Sequence, residues 1–79
     1  MPQPTSPTPS EATPEFQLNS QRQPWRSGLT VAELLVELDA TGPGVAVERN
    51  GEVVRKANHP TTLIEPADII EVVRLVGGG

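Results

Sequence analysis

Seventy-nine residues, 35% hydrophobic and 20% charged, allow one domain with a modest core and little room for an enclosed active site. The formal net charge of -4 argues against nucleic acid, the absence of cysteine excludes disulfides and thiolate chemistry, and a single histidine excludes multi-histidine metal sites. No apolar run approaches membrane-spanning length and the N-terminus lacks a basic region followed by an apolar one, so the composition predicts a soluble cytoplasmic binding or carrier module rather than an enzyme.

Met1 to Pro14 holds five of the nine prolines, several Ser and Thr, and almost nothing apolar. Such a segment buries too little surface to offset its ordering entropy, and is expected to be a disordered tail over residues 1–14. From Glu15 the pattern changes. Phe16 and Leu18 alternate with Glu15, Gln17 and Asn19, as in a half-buried strand. Asn19-Ser20-Gln21 can turn, and Arg22 to Arg26 can return as a second strand that Pro24 confines to an edge or an end. Trp25, the only tryptophan, reads as a packing residue.

Thr30-Val31-Ala32-Glu33 is a capping box, in which the Thr30 hydroxyl accepts from the Glu33 amide and the Glu33 carboxylate reaches back. Leu29 and Leu34 fit the accompanying hydrophobic staple. Val31, Leu34, Leu35 and Leu38 form one apolar helical face, with Glu33, Glu37 and Asp39 directed to water. Gly42-Pro43 is expected to end the helix. Val45–Arg49 and Glu52–Val54 flank Asn50-Gly51, the strongest short hairpin signal. Arg55 to Thr61 reads as an irregular crossover with one helical turn. Arg49, Arg55 and Lys56 read as a solvated basic cluster and His59 as a loop histidine. Leu63 and Ile64 are expected to cover the end of the core, and Pro66-Ala67-Asp68 to turn the chain.

The last strand, Ile69 to Leu75, is apolar on both faces, as in a central strand whose outer face meets a partner. The order strand, strand, helix, strand, strand, strand predicts an α+β fold of the β-grasp (ubiquitin-like) type over residues 15–76. It is a mixed sheet of about five strands crossed by one helix, with the first and last strands paired centrally. Beyond Val76 stand Gly77, Gly78 and Gly79. Three residues without side chains make a thin flexible stalk that passes where a Cβ would clash. The carboxylate of Gly79 is thereby read as the group presented to a narrow site in another protein.

TVAELLVEL in the helix, VAVERNGEVV in the hairpin and ADIIEVVRLVGGG at the end make the stretch from about Glu15 to Gly79 resemble the ubiquitin-like sulfur carriers of the ThiS/MoaD family. The ThiS-type carriers of thiamine (thiazole) biosynthesis are the nearest pattern. Ala67 stands where that family usually has glycine before Asp68. Arg74-Leu75-Val76 does not match the proline-containing approach of molybdopterin-synthase small subunits.

The resemblance implies a protein cosubstrate with no catalytic residues, metal or bound cofactor of its own. A ThiF-type adenylating enzyme, using ATP and magnesium, would activate the Gly79 carboxylate. A sulfur donor such as a cysteine desulfurase would supply a persulfide, and the resulting thiocarboxylate would give sulfur to a ThiG-type thiazole synthase. Gly77 and Gly78 would enter the partner's active site, while Val73, Arg74, Leu75 and Val76 would dock it. The tail alone leaves open a molybdopterin or cysteine pathway, a ubiquitin-like modifier joined to lysines, and an interaction domain with an inert tail.

Overall fold

The structure, a computed structural model, describes residues 14–75. Its elements are β1 (Glu15–Leu18), β2 (Gln21–Pro24), α1 (Val31–Glu37), β3 (Val45–Arg49), β4 (Glu52–Val54), a 3₁₀ turn (Lys56–Asn58) and β5 (Ile69–Arg74). The five strands form one sheet in the order β2-β1-β5-β3-β4. β1 and β5 run parallel, and the other neighbours are antiparallel. This is the expected β-grasp arrangement. The tail segment up to Thr13, together with Val76 and Gly77–Gly79, lies outside the described residues.

Both hairpins turn on residues with positive φ, at Asn19-Ser20 (48° and 71°) and at Asn50-Gly51 (54° and 86°). Two-residue turns of this hand match the right-handed twist of the strands they join. Asn19 does more than turn the chain. Its Oδ1 accepts from the Val72 amide at 2.9 Å and its Nδ2 donates to the Val72 carbonyl at 3.3 Å. The side chain thereby adds a rung to the β1–β5 ladder after the backbone of β1 has turned away.

Phe16 and Leu18 of β1, Val31, Leu34 and Leu35 of α1, Val47 of β3 and Ile70 of β5 meet in the core with Leu29, Ala40 and Ile64. Val31, Val47 and Ile70 are fully buried. Each large aliphatic side chain so buried contributes about 1.5–3 kcal/mol relative to exposure. Trp25 packs on this core and its indole N–H donates to the Ile64 carbonyl at 2.6 Å, which makes it a packing residue as expected. Pro24 closes the edge strand β2.

The helix is shorter than the sequence suggests. The capping box is present in full, with the Glu33 amide donating to Thr30 and the Thr30 amide donating to Glu33. The far end comes at Glu37, well before Gly42-Pro43. Asp39 adopts φ 57°, its amide bonds the Val36 carbonyl and the Ala40 amide bonds the Leu35 carbonyl. This is a Schellman ending with aspartate in the left-handed position usually held by glycine. Turning there buries Ala40 and leaves Leu38, assigned by periodicity to the apolar face, 40% exposed.

Two further residues differ from expectation, and a third, His59, is a turn residue as expected but is buried. Leu63 is exposed and forms an isolated bridge with Thr30, so Ile64 alone covers the core end. His59 is buried, with Nε2 at 3.1 Å from the Val54 carbonyl, an arrangement that requires the proton on Nε2. Arg49 is no free surface cation, for its Nε lies 2.7 Å from Asp68 Oδ2.

Candidate functional site: the outer sheet face and the base of the tail

β5 alternates. Ile70 and Val72 point to the helix side, while Ile69, Val73 and Leu75 stand out on the opposite face, 46%, 45% and 62% exposed. Register completes this face, since residues directly opposite share a side of the sheet. Ala46 of β3 stands opposite Val73, Glu48 opposite Glu71, and Val53 of β4 opposite Glu48. Gln17 of β1 lies opposite Ile69. The result is an open surface of Val53, Ala46, Val73, Leu75 and Ile69 divided by the Glu48–Glu71 pair. Among the described residues no helix or loop covers it, because α1 occupies the other side.

The start of β5 is pinned by a polar knot. Asp68 is 94% buried by its 6% relative exposure and accepts three hydrogen bonds. They come from Arg49 Nε at 2.7 Å, the Glu65 amide at 2.8 Å and Asn50 Nδ2 at 3.0 Å. Asn50 Oδ1 in turn accepts from the Ile69 amide at 2.9 Å. Burial by itself raises the Asp68 carboxyl. The bonds from Arg49, Glu65 and Asn50, with the charge of Arg49, outweigh it and hold the group below its ordinary 3.8. The hairpin tip and the turn before β5 are thus tied at one carboxylate.

The far end of β5 is held by the α1–β3 loop. The Leu75 amide donates to the Gly44 carbonyl, and Arg74 Nη2 lies 3.5 Å from the Asp39 carbonyl. Gly44 has φ 81°, and a Cβ there would stand 2.8 Å from the Leu75 carbonyl oxygen.

Of the residues singled out in the sequence, Val73 and Leu75 fall together on the open face. Arg74 falls on the other side of the strand and reaches toward the end of α1, so no described glutamate pairs with it. Val76, Gly77, Gly78 and Gly79 lie outside the described residues. Ala46 and Val53 were not singled out. The alternation of β4 points to Val53, whereas Ala46 becomes visible only through its register with Val73. Among the described residues no group of three or more His, Cys, Asp or Glu side chains could hold a metal ion, and no helix is long and apolar enough to cross a membrane.

Comparison with known proteins agrees with this geometry. The model of the ThiS family matches residues 10–79. A thiazole synthase of Paramagnetospirillum magneticum is 36% identical over 62 residues, which are 78% of this chain and 19% of that protein. The sulfur carrier protein ThiS of Bacillus subtilis is 34% identical over 65 residues, 81% of this chain and 98% of that protein. The crystal structure of the thiamine biosynthesis protein ThiS from Geobacter metallireducens shares the fold with a TM-score of 0.68 at 32% identity, covering 82% of this chain and 99% of that one. The chain spans about one fifth of the thiazole synthases it matches, a second being that of Magnetococcus marinus at 20%, but nearly all of the carrier. By the family match, which runs from residue 10 through Gly79, and by its five-stranded sheet crossed by one helix, this chain belongs to the ThiS family of β-grasp sulfur carriers.

Proposed function

We propose that the chain carries sulfur for thiamine thiazole synthesis as a thiocarboxylate on Gly79. A carboxylate is ionised at neutral pH and is a poor acyl donor. A ThiF-type partner, with ATP and magnesium, joins it to AMP and releases pyrophosphate. The terminal sulfur of a donor persulfide, from a cysteine desulfurase, attacks the acyl carbon and AMP leaves. A second thiol then cleaves the sulfur–sulfur bond, leaving the thiocarboxylate on Gly79 and a disulfide on the donor side. A ThiG-type synthase takes the sulfur.

The chain's own contribution is positional. Gly77 and Gly78 are thin enough to enter the partner's site. Val73 and Leu75 dock the partner from the open face, Val76 extends that contact, and Arg74 acts from the other side of the strand. The observation that carries the reading is that the family match spans residues 10–79 and so takes in the central strand and Gly79. The thiazole synthases with a stretch similar to this chain favour such an enzyme as the acceptor, since one polypeptide there holds both.

Reconstitution tests it. The chain is mixed with an adenylating enzyme, ATP, magnesium and a persulfide donor, beside a variant lacking Gly79. Intact mass should show exchange of one oxygen for sulfur in the parent and none in the variant. An unchanged parent mass, where an established carrier is converted in parallel, overturns the proposal.

A further inference from the structure

The last two described residues are gripped by one loop from two sides. On one side the Leu75 amide donates to the Gly44 carbonyl. Gly44 allows this approach because it lacks a Cβ. An alanine there would place one 2.8 Å from the Leu75 oxygen, against backbone that cannot swing aside as a side chain would. Its φ of 81° is also a conformation that other residues rarely adopt. On the other side the Arg74 guanidinium crosses to the Asp39 carbonyl at the Schellman end of α1. A cation is favourable there, since the last helical carbonyls carry partial negative charge. Arg74 also passes close over Gly42, where a Cβ would meet Nη1 at 3.6 Å.

We infer that the α1–β3 loop, Asp39 to Gly44, is a collar that fixes where the tail departs, with Gly44 and Arg74 as positioning residues for the reaction at Gly79. The inference rests on the proposed tail chemistry and deepens it. From Leu75 only Val76 and three glycines remain to the reacting carbon. Four residues span at most about 13–14 Å. With so short a reach, a shift in where the tail leaves Leu75 changes which positions the carboxylate can take up in a partner's fixed site. Moving the Leu75 oxygen from 2.8 Å to the 3.4 Å of ordinary contact would redirect the tail at its departure point, while Val73, two residues back on the docking face, stays paired with Ala46. Misplacement on the scale of an ångström can reduce a rate on the order of 100-fold.

The test has two arms on the full chain. In the first, which needs no partner, amide exchange is followed residue by residue. Leu75 in the parent should exchange on the order of 100-fold more slowly than Gly77 and Gly78, and lose that protection in Gly44→Ala. Equal rates in the parent overturn the collar. In the second arm, ATP–pyrophosphate exchange with a purified adenylating enzyme is measured against carrier concentration. Gly44→Ala and Arg74→Gln should each lower kcat by a larger factor than they raise KM for the carrier, because Val73 at the middle of the docking face keeps its place in the ladder. An unchanged kcat, or a loss confined to KM, overturns the positioning role. If Gly44→Ala fails to fold, the exposed Arg74→Gln substitution decides. If the parent chain is never adenylated, the proposed function falls and takes the collar's role in it, while the first arm still decides whether the loop grips Leu75.

Discussion

Replacing Asp68 by alanine removes the acceptor on which three donors converge, from Arg49, Glu65 and Asn50. A hydrogen bond to a charged group contributes about 1.5–3 kcal/mol, and a buried donor left without a partner costs about 1–3 kcal/mol. The Arg49 side chain is 34% exposed and regains water when released, so its share is discounted to under about 1 kcal/mol. The Glu65 amide and the Asn50 side chain supply most of the remainder, for a loss of about 3 kcal/mol, the lower end of the range for breaking a buried pair. A single core of this size supplies only about 3–5 kcal/mol in all. At about 4–8 °C per kcal/mol, Tm should fall by roughly 12–24 °C. Circular dichroism and the emission of Trp25, which packs on the core, read the transition. pH supplies a second signature. A carboxyl whose folded pKa is depressed stabilises above its unfolded pKa, and the contribution fades as pH falls through the folded value. The gap between parent and Asp68→Ala should hold from about pH 7 to pH 5 and narrow below about pH 4. A Tm loss below about 4 °C, or a gap undiminished at about pH 2, would refute the reasoning.

Ala67 sits at φ 71°, so Ala67→Gly should relieve left-handed strain and raise stability by up to about 1 kcal/mol in a urea titration, less the added freedom of the unfolded chain. Thr30→Ala deletes the acceptor of the capping box and should lower stability by about 1 kcal/mol in the same assay. Val73→Glu adds a charge to a half-exposed site on the open face, so stability should change by no more than about 0.5 kcal/mol. Its affinity for the adenylating enzyme, measured by calorimetry, should fall at least about tenfold.

The architecture was legible because local signals agreed with one another. Asn50-Gly51 marked a hairpin, the Thr30–Glu33 box marked a helix start, and the doubly apolar run at Ile69–Leu75 marked a central strand. What failed to show had either a distant partner or an unusual local residue. Arg49 looked solvated because Asp68, its partner, lies 19 residues on. His59 is the turn residue its setting indicates, and only its burial against Val54, five residues back, was not legible. The helix end was misplaced because aspartate holds the left-handed position at Asp39, where glycine is the usual sign. Of the candidate site, Val73 and Leu75 followed from alternation within one strand. The same alternation turns Arg74 to the other side, but its partner did not show, because the Asp39 carbonyl lies in a loop more than thirty residues earlier.

β5 is bonded on both flanks, to parallel β1 and to antiparallel β3 over five register pairs from Val45↔Arg74 to Arg49↔Ile70. A partner that seizes the tail pulls along this strand, and the ladder bonds lie across the direction of pull. They are loaded in shear, all at once, where a strand peeled sideways would open rung by rung. The molecule's handle is therefore set in its most mechanically resistant part. Under the proposed function, an enzyme that draws the terminus into its site pulls against these rungs together, and the sheet behind it does not unravel from that end.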